Sequence, residues 1–405
     1  MKKIIALLLL LNSLPFYAQW WTLQNSGVTA NLNDVSGITG NEVLIVGNSG
    51  TILKTIDGGV HWVQKTSSTI SNLMKIQFVN PTIGYAVGEN GTLLKTTDSG
   101  ESWSTITTGI TSNFYGLSCL SENVFYISGD NGLVLKTIDG GTNFSNESYV
   151  GNYSFKTVQF LNDQVGYACS FEYSGSDSNA FIKTNDGGET WTFLSNEVTS
   201  FYFLNENIGF LKTFGPVFKT IDGGVNLIYM GDSNSQTADL FSMNENLVWS
   251  VENTFTLCNC SYFCIEKREL DNTQVLSAAQ NCYADTAGNP PFEAITFADA
   301  TTGYVVGDYG IIYKNATGTM EDLGVAEFNK NSIYISPNPA FELITIENKS
   351  NTQINSITIT DMNGRIILED NTAHTTLDVN SLSNGVYFIQ FASEKGSITK
   401  KLIKK

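Results

Sequence analysis

Short apolar runs alternate with turn residues along most of the chain, and the pattern repeats. A run such as Gly84-Tyr-Ala-Val-Gly88 is followed by Asn90-Gly91, by Thr92-Leu-Leu-Lys-Thr96, and then by Asp98-Ser-Gly100 and Trp103. Apolar runs of this length bounded by Gly, Asn and Asp predict strands, and Asn-Gly between two of them predicts a tight hairpin whose turn residues both take positive φ. The element Lys-Thr-x-Asp-x-Gly occurs five times, beginning at Lys54, Lys95, Lys136, Lys183 and Lys219, at intervals of 41, 41, 47 and 36 residues. Four strands of about 5–6 residues with short connections fill about 40 residues, one blade of a β-propeller. Helical solenoids would need a 3.6-residue apolar period, which is absent.

Two degenerate copies extend the five. Residues 246–282 hold Leu247-Val-Trp249 and Glu266-Lys267 without the Asp element, and Gly303-Tyr-Val-Val-Gly307 leads to Ile311-Ile-Tyr-Lys-Asn315. The step from Lys219 to Lys314 is 95 residues, about two periods. Seven units are therefore expected. The last lacks a fourth strand, and Trp20-Trp-Thr-Leu-Gln24 resembles the strand that follows each Asp element, so the amino end is expected to complete the last blade. The reading is all-β: a single seven-bladed propeller over 19–322, a linker over 323–332, and a small immunoglobulin-like sandwich over 333–405.

The first 18 residues read as an export signal. Lys2-Lys3 precede an apolar run of 8 residues, Ile4 to Leu11, with Pro15 and Ala18 beyond it. That run is too short to cross a bilayer core of about 30 Å. No membrane-spanning segment is expected in the mature chain.

Charge narrows the function. The chain has 39 acidic and 22 basic side chains, a formal charge of −17, and residues 333–405 are neutral, which leaves the acidity on the propeller. Nucleic acid and anionic lipid need clustered positive charge and are excluded as partners. The chain has two histidines, His61 and His374, so a His pair in one site or a three-His metal centre is excluded. No cofactor, metal site or catalytic set is expected, and the mature protein is expected to be a monomer.

The five copies resemble the Asp-box (BNR-like) repeats of sialidases and related propellers. They comprise Thr55, Asp57, Gly59 and Trp62; Thr96, Asp98, Gly100 and Trp103; Thr137, Asp139, Gly141 and Phe144; Thr184, Asp186, Gly188 and Trp191; and Thr220, Asp222 and Gly224. The resemblance puts them at the turn between third and fourth strands, in a structural role. One Asp per blade cannot converge on one ion, since a metal needs several ligands about 2.3–2.6 Å away. The repeated Lys is read as a blade-packing or ion-pair position. A sialidase also needs three arginines around a carboxylate; this chain has Arg268 and Arg365 only. Across about 300 residues the pattern most resembles the photosystem II stability/assembly-factor-like propellers, which implies a seven-bladed, non-catalytic binding scaffold. The arginine-rich patch of those proteins is missing, so only the scaffold is carried over.

A polysaccharide hydrolase using two carboxylates is the competing class. Asp130, Glu172, Asp177, Asp232 and Asp308 lie in loops, without a distinguished pair. The least regular loops, Phe171 to Asn179 (with Tyr173 and Asp177) and Ala284 to Phe292, are candidate ligand contacts. In an exported chain, Cys258, Cys260, Cys264 and Cys282 are disulfide candidates, with a four-thiolate zinc site as the alternative. Cys119 and Cys169 fall within strands.

The tail holds Pro337-Asn-Pro339, Asp361-Met-Asn-Gly364-Arg365, Leu382-Ser-Asn-Gly385-Val-Tyr387 and a basic end, Lys400-Lys-Leu-Ile-Lys-Lys405. In that order these resemble the type A C-terminal sorting domain of type IX secretion. The resemblance implies the type IX machinery as a partner and passage across a Gram-negative outer membrane, with release or surface attachment. The expected function is non-catalytic binding of an extracellular protein or glycan.

Overall fold

The computed structural model describes residues 21–151, 153–170, 179–213, 215–232, 236–255, 261–270, 275–284, 291–315, 333–348, 354–361, 365–370, 375–393 and 396–405. The 18-residue signal expected at the amino end and the linker therefore lie outside the described residues. The chain divides into two compact units between Gly318 and Thr319.

Among the described residues of the first unit, the strands form seven four-stranded antiparallel sheets. The first runs Leu32–Gly37, Val43–Gly47, Ile52–Thr55 and Val63–Lys65. The next four repeat this order, opening with Leu73–Phe78, Phe114–Cys119, Phe155–Phe160 and Ser200–Phe203. In the sixth, Leu247–Phe255, Ser261–Leu270 and Val275–Ala284 are 9, 10 and 10 residues long, about twice their counterparts. The seventh contributes Phe292–Phe297, Gly303–Gly307 and Ile311–Asn315 from the carboxyl side and borrows Trp21–Asn25 from the amino end. Trp21 pairs with Asn315 and Asn25 with Ile311. The strand at the amino end thus covers an edge that would otherwise stay open.

Each core cluster draws on two consecutive sheets. Leu44, Val46 and Ile52 of the first sheet pack with Leu73, Ile76 and Leu94 of the second. Tyr304, Val306 and Ile312 of the seventh pack with Leu32, Val35 and Ile45 of the first, so the series returns to its start. First strands of neighbouring sheets also contact one another, and that of the seventh meets that of the first.

The Gly-Tyr repeat follows from this packing. At Gly166 a Cβ would lie 2.5 Å from the ring of Phe160, the last residue of the adjoining first strand, so only glycine fits beneath it. The tyrosine after it is buried and its hydroxyl reaches the next sheet: Tyr85 Oη donates to the Glu122 carbonyl at 2.6 Å, and Tyr304 Oη to that of Gly40 at 3.2 Å. The second-to-third turns take the left-handed pair that a two-residue hairpin needs, with φ of 56° and 67° at Asn90 and Gly91, and 59° and 73° at Asn131 and Gly132. Ser49-Gly50 and Tyr309-Gly310 do the same without an Asn.

The second unit has a three-stranded sheet of Ile333–Ser336, Leu343–Asn348 and Thr376–Asp378. A four-stranded sheet places Ile354–Thr360 and Gly385–Ser393 between Ile366–Asp370 and Gly396–Lys404. The two share one core containing Ile333, Ile344, Ile357, Ile389 and Leu402.

Candidate functional site

The five Asp elements have one geometry, at the turn between third and fourth strands. In the second copy, Thr96 Oγ1 donates to Asp98 Oδ1 at 2.8 Å and accepts the amides of Gly100 at 2.8 Å and Asp98 at 3.3 Å. Asp98 also accepts the Ser102 amide at 2.9 Å and its hydroxyl at 2.6 Å. His61, Asn143, Thr190 and Asn226 take the place of Ser102 in the other copies. This position carries no sequence signature, because His, Ser, Asn and Thr share only the ability to donate to the second carboxylate oxygen. These bonds favour the ionised carboxylate. Asp57, Asp98 and Asp186 are held down at about 2, mainly by bonds from His61, Ser102 and Thr190, and Asp139 and Asp222 are lowered in the same way. Both carboxylate oxygens of each box thus accept bonds from within its own turn.

What the boxes hold is the neighbouring sheet. Lys54 of the first sheet donates to the Ser99 carbonyl in the second box at 2.8 Å. Lys136 and Lys183 reach Gly187 and Gly223 in the same manner, at 3.3 and 3.2 Å. Lys314 of the seventh sheet reaches Gly58 of the first box at 2.7 Å. Each aromatic closes the joint from the other side: Trp62 lies edge-on to Tyr304 at 6.1 Å, and Trp103 packs in the cluster between the first and second sheets. We expect Thr96→Val, which keeps the shape but removes all three hydroxyl bonds at a buried position, to cost about 1–3 kcal/mol. Calorimetry should show a melting temperature lower by a few degrees, with the fold unchanged by circular dichroism.

Arg268 is a brace between sheets. It is buried, donates to the successive carbonyls of Met230, Gly231 and Asp232 at 3.0–3.1 Å, and pairs with Glu266 at 3.0 Å. Burial and the neighbouring Glu252 raise Glu266 to about 7. This carboxyl pair is buried within the sixth sheet.

The opposite end of the sheets carries the second-to-third turns and the connections from each fourth strand to the next sheet. Glu89, Asp130 and Asp308 stand immediately before these turns, and Asp130 accepts the Ser154 hydroxyl at 2.9 Å. Lys156 lies 3.3 Å from the centre of the Tyr115 ring. Glu293 is raised to about 7 by burial and by Asp308, which burial raises too. Tyr309 is 65 % exposed and Ile70, in a fourth-to-first connection, 91 %. The long strands of the sixth sheet run on at this end, where Asn253, Thr254 and Phe255 pair with Phe263, Tyr262 and Ser261. Asp232 ends the fourth strand of the fifth sheet.

Of the other residues singled out in the sequence, Glu172, Tyr173, Asp177, Cys258, Cys260 and Gly364 lie outside the described residues, as do 285–290 of the second candidate loop. Cys264 stands opposite Cys282 in strand register. Cys119 and Cys169 are free thiols that burial holds far above the usual range. Among the described residues no group of three metal-ligating side chains converges, and no helix is long and apolar enough to cross a membrane.

In the tail, the opening and closing motifs meet. Asn338, between Pro337 and Pro339, donates through Nδ2 to the Lys401 carbonyl at 2.7 Å and accepts the Ile403 amide at 2.9 Å. Arg365 donates its amide to Asp361 Oδ1 at 3.0 Å. Tyr387, two residues beyond Gly385, is buried with its hydroxyl on the Ser383 carbonyl at 2.9 Å.

These features define the class: a β-propeller with BNR-type repeats, followed by a separate all-β sorting module. The comparisons agree. Residues 332–405 match the secretion system C-terminal sorting domain, and residues 12–97 match the photosynthesis system II assembly factor YCF48. No curated protein matches the chain. Similar solved structures include YCF48 bound to D1 peptide (TM-score 0.57, 19 % identity, 74 % of this chain and 97 % of that one). YCF48 from Cyanidioschyzon merolae is another (0.56, 15 %, 73 % and 98 %). PorZ, a surface component of the type IX secretion system of Porphyromonas gingivalis, matches over 92 % of this chain and 59 % of its own, at TM-score 0.53 and 14 % identity. At these identities the likeness is one of fold. The sorting tail points to a secreted or cell-surface protein.

Proposed function

We propose that the chain is an exported, seven-bladed, non-catalytic binding propeller, carried across the outer membrane of a Gram-negative bacterium by an immunoglobulin-like sorting domain and then released or held at the surface. What supports this is a sorting domain that follows, along the chain, a series of sheets whose Asp elements bond their own turns and receive a lysine from the neighbouring sheet. Recognition falls to the end bearing Tyr309, Ile70, Asp130 and Asp308, with the extended sixth sheet as a wall stapled by a Cys264–Cys282 disulfide. The opposed positions of these cysteines on adjacent strands support that pairing. The ligand is an extracellular protein or glycan. That a similar propeller is described with a bound peptide favours a polypeptide, and the acidic side chains here favour a basic one.

Full-length protein should retain cationic peptides on an array saturably and in a salt-sensitive way, and Asp130→Asn with Asp308→Asn should weaken retention several-fold. Retention unaffected by the double change would remove this face from the reading. A second reading rests on Glu293 and Asp308, where burial raises both carboxyls and Asp308 raises Glu293 further. It predicts polysaccharide turnover lost in Glu293→Gln, and a reducing-sugar assay decides it.

A further inference from the structure

The outer edge of the sixth sheet breaks a rule that the other sheets keep. A last strand leaves one row of N–H and C=O groups without a ladder partner, and proteins blunt such edges with short strands, charges or proline. Elsewhere in the first unit the outer strands are short: Val63–Lys65, Ser104–Thr105, Ser145–Asn146, Thr192–Ser195, Ile228–Asp232 and Trp21–Asn25 hold 2 to 5 residues. Val275–Ala284 holds 10. It pairs with Ser261–Leu270 along its inner side, from Tyr262 opposite Ala284 to Leu270 opposite Val275, and among the described residues no strand lies on its outer side. Its sequence, Val-Leu-Ser-Ala-Ala-Gln-Asn-Cys-Tyr-Ala, has no charge, no proline and no glycine. The inner strands of the same sheet carry Asp239, Glu252, Glu266, Lys267, Arg268 and Glu269, so only the edge is bare of charge.

Two features of this edge select its occupant. Being uncharged, the strand can face another copy of itself without setting like charges opposite each other, which would be destabilising. It also has 10 residues against 5 in each flanking outer strand, Ile228–Asp232 and Trp21–Asn25, a difference of about 17 Å of extended chain. An isolated peptide needs no such clearance, whereas a second propeller, as bulky as the first, does.

We propose that two copies of this chain associate through Val275–Ala284, antiparallel about a two-fold axis, in place of the monomer expected from the sequence. Two four-stranded sheets then become one of eight strands. With the axis at Ala279, in the middle of the strand, Ser277 of one copy opposes the partner's Asn281. Antiparallel pairing satisfies the outward backbone groups of both strands with about one hydrogen bond per residue, and an isologous contact closes at two copies. The net acidity of the propeller opposes the contact at long range, so salt strengthens it. Retention of cationic peptides at the turn-bearing end has the opposite salt dependence, which keeps the two readings apart.

The test is sedimentation velocity on full-length protein over about a hundredfold range of concentration, since a dimer follows mass action. Wild type should pass from one chain to two, at lower concentration in high salt than in low, and the amides of 275–284 should exchange more slowly at the high end of the range. Ser277→Lys with Asn281→Lys, and separately Ser277→Glu with Asn281→Glu, should each raise the dissociation constant about tenfold or more. An equimolar mixture of the two variants should regain the wild-type dimer, a recovery that a misfolded variant does not give. Gln64→Lys, on the exposed outer strand of the first sheet, should change nothing. A single chain at every concentration overturns the proposal. So does a dimer that persists in both charged variants, one that the mixture does not restore, one that weakens in salt, or one that stays covalent on a non-reducing denaturing gel.

Discussion

Replacing Trp21 with alanine should lower the melting temperature by about 10 °C. Trp21 is fully buried and meets Trp249 at 5.8 Å and Phe297 at 6.1 Å, both edge-on. Truncating so large a core side chain costs about 3–5 kcal/mol, and each kcal/mol is worth roughly 2–4 °C in a unit of this size. The indole also packs directly over Gly303, where a Cβ would lie 2.8 Å from it, so its removal opens a cavity in the joint. Removing residues 20–25 altogether should do more. It would uncover the backbone edge of Ile311–Asn315 and bring concentration-dependent aggregation as well as a lower melt. Leu23→Ala is the control, on the same strand but 61 % exposed, and should change the melt by no more than a degree or so. An unchanged melt after deletion would refute the idea that the amino-terminal strand holds the ring.

The second large effect is on pH. Asp34 and Asp239 both act on Lys75, which bonds Asp34 Oδ1 at 2.8 Å, across the first strands of the first, second and sixth sheets. Burial raises Asp239 to about 6 despite Lys75, and Glu293 to about 7. A carboxyl whose folded pKa lies above its unfolded value holds its proton longer in the folded state. Its stabilising effect is complete below the unfolded value near 4 and is lost as pH climbs through the folded one. Asp239 alone should therefore cost on the order of 3 kcal/mol between pH 4 and pH 7. The box carboxylates act the other way. Held at about 2, Asp57, Asp98 and Asp186 stabilise above pH 4, and that stabilisation disappears as pH falls toward 2. Stability should peak near pH 4–5 and decline toward neutrality. Asp239→Asn should flatten the neutral limb, in melts recorded from pH 3 to pH 8. Repulsion among surface charges would give a similar decline but would vanish in high salt, so persistence of the slope in 0.5 M NaCl assigns it to the buried groups.

Local rules made much of the scaffold legible. Asn90-Gly91 announces a two-residue hairpin because few other pairs accept positive φ twice, and the Thr-x-Asp-x-Gly spacing announces a self-bonded turn because the side chains reach only their own backbone. Ser49-Gly50 and Tyr309-Gly310 form the same turn without an Asn, so the cue marks only some of the hairpins. The partner of each repeated lysine was not legible, since the Lys54 ammonium and the Ser99 carbonyl it reaches are 45 residues apart. Nor was the contact between Asn338 and the terminal strand.

Sequence by itself determined the repeat, its turns and the sorting motifs, because each depends on residues within a few positions of one another. Tertiary structure alone decided the register in which the amino-terminal strand lies on Ile311–Asn315, that Lys314 holds the first box, and that Asp239 acts on Lys75. Those features depend on how distant sheets pack, and burial, charge and edge pairing acquire their values only when the chain has brought such sheets together.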